Sequence, residues 1–362
     1  MSFEKGSVSF RIFKARLGSQ YPEDFVERFA KNAIPAVDAI ASEGAVGWAT
    51  GRHLLDRAIT PESISVAGRT RVTLVKTSKK IPAALFKAEC RQEELATMAA
   101  RGVPFLKRQE RIEIAKSVRD RMLPGMPPTL SGNDVVRTDD AVYASCTSDS
   151  QSDALLYAWH AALGQDLMQY TPYLAAAALC KFDSRSLSPT SFSPTVDDSG
   201  MELDIGTEFL TWLWYFSEAC GGIDGEFGYM LDGPFTFIHE GSGAHEIVVR
   251  RGNPGIASEA KSALMAGKKL KKSRLVIARG KETWMCTLAG SSWTFSGLKL
   301  PDSEGGLDAA SAFEERMVSI GVFIGAIESV FKRFVAIRSD EAKWDAELVG
   351  IRKWVSERAS RA

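Results

Sequence analysis

The chain has 362 residues, and its 45 lysines and arginines are balanced by 45 aspartates and glutamates. Apolar residues make up 45% and charged residues 25%, which excludes wholesale disorder and a histone-like polycation. The length suggests about two or three lobes, and any nucleic-acid contact must come from cations gathered locally.

Residues 7–15 alternate apolar with polar side chains and predict a half-buried strand. Pro22-Glu-Asp then opens a helix with Phe25, Phe29 and Ile34 on its apolar side. Residues 70–77 are alternating and β-branched, a second strand. A long charged helical stretch over 83–122 is broken at Gly102-Val-Pro104 and stops at Leu123-Pro. A strand over 141–146 and a helix over 150–163 follow, the helix capped by Ser150 or Ser152, then a short apolar segment over 171–179. Residues 184–200 are rich in serine, proline and aspartate and read as a flexible linker or insertion. A helix over 206–218 carries Phe209, Leu210, Trp212, Leu213, Trp214 and Phe216, whose chemistry is packing. Residues 234–251 read as a β-hairpin around Gly241-Ser-Gly, and 254–266 as a helix. Strands are expected over 270–278, 282–288 and 293–300. A long helix over 309–337 and a charged tail helix close the chain.

These elements predict an α+β fold with several mixed or antiparallel sheets, in a multi-lobed, elongated protomer. The expected organisation is an N-terminal α+β lobe over 1–180, a flexible linker over 181–205, and a C-terminal α+β lobe over 206–362 with a basic segment at 250–281. Five cysteines, none in a C-x-x-C pair, suit free thiols in a reducing compartment. No leader precedes the first strand, and the apolar runs are short or interrupted by charge, so the chain reads as a soluble cytoplasmic protein.

The densest basic stretch holds Arg250, Arg251, Lys261, Lys268, Lys269, Lys271, Lys272 and Arg274, with Arg279 and Lys281 beyond. Cations on a rigid sheet face bind phosphate without regard to sequence, because each neutralised phosphate releases counterions. Strand alternation predicts Lys272 and Arg274 on one side, and Lys271, Ser273 and Leu275 on the other. The plainer alternative is a solvated charged edge that discourages strand-to-strand aggregation. A second basic run, Arg101 to Arg121, is interleaved with acids and reads first as surface pairs. His239 and His245, with Glu240 and Glu246, flank the hairpin turn, but H-E-x-x-H is absent. Glu259-Ala-Lys261 and Glu341-Ala-Lys343 match the E-x-K end of restriction-type nuclease motifs. Both fall on helical patterns, whereas a magnesium site of that kind needs strands. A metal-dependent DNA exonuclease is therefore the second functional reading. No phosphate-binding glycine loop and no nucleophile elbow occurs. No catalytic residue, metal or cofactor is expected.

The order of segments carries a resemblance. Val46-Gly-Trp48 is followed by Lys79-Lys-Ile-Pro82, a charged helix ending Met122-Leu-Pro124, and Val142-Tyr-Ala-Ser-Cys146. The Phe-Leu-Thr-Trp-Leu-Trp block at 209–214, Ala266-Gly-Lys-Lys-Leu-Lys-Lys272, Trp284-Met-Cys-Thr-Leu and Leu298-Lys-Leu come after. From about residue 7 to 337 the chain resembles the recombination-associated protein RdgC family of bacterial nucleoid proteins. The resemblance implies a ring-like homodimer with a positive central hole that encloses double-stranded DNA without sequence preference. It also implies antagonism of the recombinase RecA through occupation of DNA. By position, Arg250 and Arg251 match a basic pair of the family, and Lys268, Lys269 and Lys272 match its Ala-Gly-Lys segment. The helix ending Met122-Leu-Pro124 matches a dimer contact. This chain departs from the family at Gly125-Met-Pro-Pro-Thr, where an arginine-aromatic stretch stands, and carries extra residues at 184–232 and beyond 337.

Overall fold

The computed structural model describes residues 3–15, 21–40, 44–239, 246–250, 258–302 and 308–359. The first half of the chain runs β1 (Val8–Ala15), α1 (Phe25–Lys31), β2 (Ala45–Thr50), α2 (Pro61–Ile64), β3 (Ser65–Val66), β4 (Arg69–Lys79), α3 (Ala83–Arg101), α4 (Arg108–Met122), β5 (Pro128–Arg137), β6 (Val142–Ala144), α5 (Asp149–Leu163), β7 (Leu167–Gln169) and α6 (Pro172–Cys180). The second half runs α7 (Ile205–Ala219), β8 (Ile223–Asp224), β9 (Phe227–Ile238), β10 (Ile247–Val249), α8 (Ser258–Met265), β11 (Lys269–Arg279), β12 (Glu282–Ala289), β13 (Thr294–Lys299), α9 (Ala309–Arg338) and α10 (Glu341–Ala359). The fold class is α+β, as predicted.

The several expected sheets are one. Among the described residues thirteen strands form one sheet: ten run in the order β10-β9-β11-β12-β13-β1-β6-β5-β4-β2, and β3, β7 and β8 pair at its sides. The hinge of this arrangement is β1. Val8 and Phe10 pair with Leu298 and Phe295 of β13, while Arg11, Ile12 and Phe13 pair with Ala144, Tyr143 and Val142 of β6. The first strand thus belongs to both halves, and the boundary expected at 181–205 does not divide the sheet.

Alternation along β1 decides which face each half covers. Val8, Phe10 and Ile12 enter a large core with α6–α10, and Phe13 enters a smaller core with α1 and α5. Helices therefore cover opposite faces of the two half-sheets. In the small core, Phe29 lies edge-on to Trp48 at 4.8 Å and to Trp159 at 5.6 Å. In the large core, α7 is buried nearly all round, as its apolar sequence requires. Trp212 stacks on Phe216 at 5.0 Å, and Phe209 meets Phe331 edge-on at 5.1 Å. A Cβ on Gly206 would lie 2.3 Å from the carbonyl oxygen of Gly290, so only glycine lets α7 approach the β12–β13 turn.

Three local expectations are corrected. Ser148, not Ser150 or Ser152, caps α5, because its hydroxyl accepts from Gln151 N while the Gln151 side chain returns to the Ser148 N–H. Residues 128–137 form a ten-residue strand that sequence reading passed over. Its Pro, Ser, Gly, Asn and Asp are poor strand formers, and its place is set by a main-chain ladder to β4. Residues 184–200 are not a loose linker. Thr190, Ser191, Phe192 and Ser193 are buried, Ser193 Oγ donates to the Met265 carbonyl at 2.7 Å, and Phe192 lies edge-on to Trp344.

Burial also sets the thiol chemistry. Cys146 and Cys286 sit inside the two cores, and desolvation pushes the Cys146 thiol up to about 12 and raises that of Cys286 as well. Cys220 is exposed. A thiol-labelling reagent at pH 8 is expected to modify Cys220 rapidly and to reach Cys146 and Cys286 only after denaturation. Rapid labelling of either buried thiol in the native protein, read by mass spectrometry, would contradict this packing.

Candidate nucleic-acid interface

Among the described residues, no helix covers one face of the C-terminal half-sheet. On β11, Ser273, Leu275 and Ile277 point into the large core, so Lys272, Arg274 and Val276 point away from it. Register carries this face across the sheet. Arg274 faces Thr287 and Val276 faces Met285 on β12, which in turn face Ser296 and Lys299 on β13. Lys299 thus stands about 10 Å from Val276, two strand spacings away. Lys272 and Lys299 are exposed and Arg274 half-buried, so three cations share a rigid, mostly polar surface.

The basic stretch predicted from sequence does not stay together. Lys272 and Arg274 take the expected side, with Arg274 3.4 Å from Asp232. Lys271 does not enter the core beside Ser273 and Leu275 as alternation predicted. The register with β9 slips between Leu270 and Lys272, a bulge that re-aims Lys271 toward Glu246 at 3.5 Å. Lys268 is half-buried at the turn entering β11, and Arg250 is exposed just beyond β10. Arg251 lies outside the described residues. Arg279 is engaged by Glu282 at 2.7 Å and Glu226 at 3.6 Å, and the hydrogen bond to Glu282 raises its pKa further.

Two of the expected phosphate ligands are interior. Lys261 is 1% exposed, with its ammonium 2.8 Å from the Trp354 ring centroid and 4.5 Å from that of Trp214, a cation–π cage. Lys269 is 2% exposed, and its ammonium donates to Glu208 Oε1 at 3.0 Å. The assignment of both to a DNA surface is therefore corrected. A basic residue in sequence says nothing of burial when a carboxylate or aromatic cage comes from a distant segment.

Lys299 was missed. Strict alternation from the buried Phe295 would have put it on the core side; the irregular register between β12 and β13, with Phe295 and Leu298 both buried, turns it to the face of Lys272 and Arg274. The second basic run proved partly free. Arg101 pairs with Glu110 at 2.6 Å and Arg121 with Glu89 and Glu93 at 3.1 and 3.3 Å, binding α3 to α4. Arg108, Arg111 and Lys116 are exposed and enter no ion pair among the described residues.

Among the described residues no group of three or more His, Cys, Asp or Glu side chains is arranged to hold a metal ion. Glu259 and Lys261 lie on α8, and Glu341 and Lys343 on α10, so neither E-x-K match stands on a strand. Of the hairpin histidines, His239 is described, whereas Glu240 and His245 lie outside the described residues. No described helix is long and apolar enough to cross a membrane. No model of a known protein family matches the chain, and no curated protein matches it in sequence.

Proposed function

We propose that the chain is a sequence-independent double-stranded DNA-binding protein. In this reading it works as a homodimer in the cytoplasm, on the nucleoid, and modulates homologous recombination by occupying DNA and limiting RecA action, as the resemblance to the RdgC family implies. The observation that carries the DNA-binding part is the uncovered face holding Lys272, Arg274 and Lys299. Its cations stand on a stiff ladder whose other side chains are neutral apart from Asp232, 3.4 Å from Arg274, so a polyanion meets charge without a base-reading element. The dimer part draws support from the α3–α4 hairpin. No residue of α3 is buried, and Leu85, Leu95, Phe105 and Ile112 are each more than two-fifths exposed, an apolar display typical of interaction surfaces. Nothing in the arrangement of the described carboxylates favours the nuclease reading.

Anisotropy titration of two unrelated duplexes across a salt series tests the proposal. Equal affinities that fall steeply and linearly in log salt are expected. A closed dimer is further expected to remain on circular DNA at salt concentrations that release it from short linear duplex. A preference of more than about tenfold for one sequence, or binding indifferent to salt, would overturn the reading.

A further inference from the structure

We propose that the groove between β7 and the C-terminal turn of α6 docks an acidic peptide segment bearing a large apolar side chain, supplied by a partner protein. The groove encloses about 580 Å³. Its floor is apolar: Leu174 and Phe182 are half-buried against the large core, and Met168 on the wall is 37% exposed. Most polar groups of the walls are already engaged within the chain. Gln169 Nε2 donates to the Ser292 carbonyl at 2.8 Å, and the Tyr173 hydroxyl to the Leu203 carbonyl at 2.6 Å. The Asp183 carboxylate accepts from the Arg185 backbone N–H at 3.1 Å.

Two cations remain on the rim. Lys181 and Arg185 are exposed and enter no ion pair among the described residues. A third, Lys14, is the cross-strand partner of Met168 and so shares its face, with its ammonium 4.5 Å from the Tyr170 ring centroid. An apolar floor under a positive rim complements an acidic segment with an apolar anchor.

The backbone supplies a second, independent observation. Lys181 ends α6 in the left-handed conformation, φ 56° and ψ 31°. Glycine is the favoured residue there, because a side chain is strained in that region. A lysine there keeps a cation on the rim in place of the unstrained glycine. A nucleic acid fits less well. It asks for a continuous row of cations along a backbone track, whereas this groove has its rim interrupted by Asp183. Lys14 has the same parity on β1 as Phe10 and Ile12, which enter the large core, so the groove opens on the helix-covered side of the sheet, away from Lys272 and Arg274.

The test is selection of random heptapeptides displayed on phage against the immobilised full chain, followed by anisotropy with the enriched peptides. Enriched sequences are expected to combine Asp or Glu with Leu, Phe or Trp. They are expected to lose at least about tenfold in affinity for Lys181→Gly and for Arg185→Ala, and to keep binding Lys181→Arg. Lys181→Gly is expected to melt at or above the wild-type temperature, which separates lost recognition from lost folding. No enrichment, enriched peptides without acids, or undiminished binding to the glycine and alanine variants would each overturn the proposal. Displacement of the peptides by a short single-stranded oligonucleotide that itself depends on Lys181 would overturn it in favour of a nucleic-acid site.

Discussion

Replacing Glu208 by glutamine is expected to cost about 3–5 kcal/mol of stability, the scale seen when one partner of a buried ion pair is removed. Glu208 is wholly buried on α7. Its Oε1 accepts from Lys269 Nζ at 3.0 Å and from Thr190 N at 3.1 Å, and its Oε2 accepts from Arg338 Nε at 2.9 Å. Arg338 also donates to the Ser188 carbonyl and to Thr190 Oγ1. Glutamine preserves shape but removes the charge, leaving two cations facing each other away from water. The same carboxylate fastens residues 188–191 to α7, β11 and α9. The variant should therefore also become susceptible to proteolysis within 187–200. Urea unfolding measures the first effect and limited elastase digestion, which cuts after small side chains such as Val196, the second. Arg121→Ala, which breaks an exposed pair, is the control and should cost no more than about 1 kcal/mol. A Glu208→Gln loss as small as the control would mean that the triad does not hold this strap.

Reversing the charge of Lys272, Arg274 and Lys299 together is expected to abolish measurable duplex binding at moderate salt, with the fold intact. Each phosphate contact contributes close to one unit to the slope of log affinity against log salt. Neutralising the three residues with alanine should thus flatten that slope by about three per protomer, equally for unrelated sequences. Lys261→Ala and Lys269→Ala probe the opposite case. Both residues are interior, so their loss should lower thermal stability and leave the salt slope of the folded fraction unchanged. A triple alanine variant with wild-type slope would remove the sheet face from the interface. In that event Arg108, Arg111 and Lys116 on the hairpin become the cations to replace.

Local pattern made much of this legible. The long helices and most strands emerged from periodicity, because each buries a face whose spacing is written in consecutive residues. The breaks at Gly102 and Leu123-Pro124 followed from backbone chemistry alone. What local pattern could not carry was pairing between distant segments. β5 is a strand because β4 lies beside it, although its own residues argue otherwise. Residues 184–200 look like a linker by composition, yet Phe192 fills a gap beside Trp344, and Thr190 reaches a charge on α7. The cations of 261–274 look uniform in sequence, and only the tertiary fold separates Lys272, in solvent, from Lys261, between two indoles.

The placement of β1 also governs the order in which this chain acquires its structure. β1 leaves the ribosome long before one of its neighbours, since Val8 lies opposite Leu298. Until then, one edge of β1 and the residues it later buries stay open, and the loop that must close spans most of the polypeptide, which slows assembly. Translation that halts before β13 is therefore expected to leave an aggregation-prone nascent chain with an unmatched central edge. The finished sheet should unfold as one cooperative unit with no separable N-terminal half.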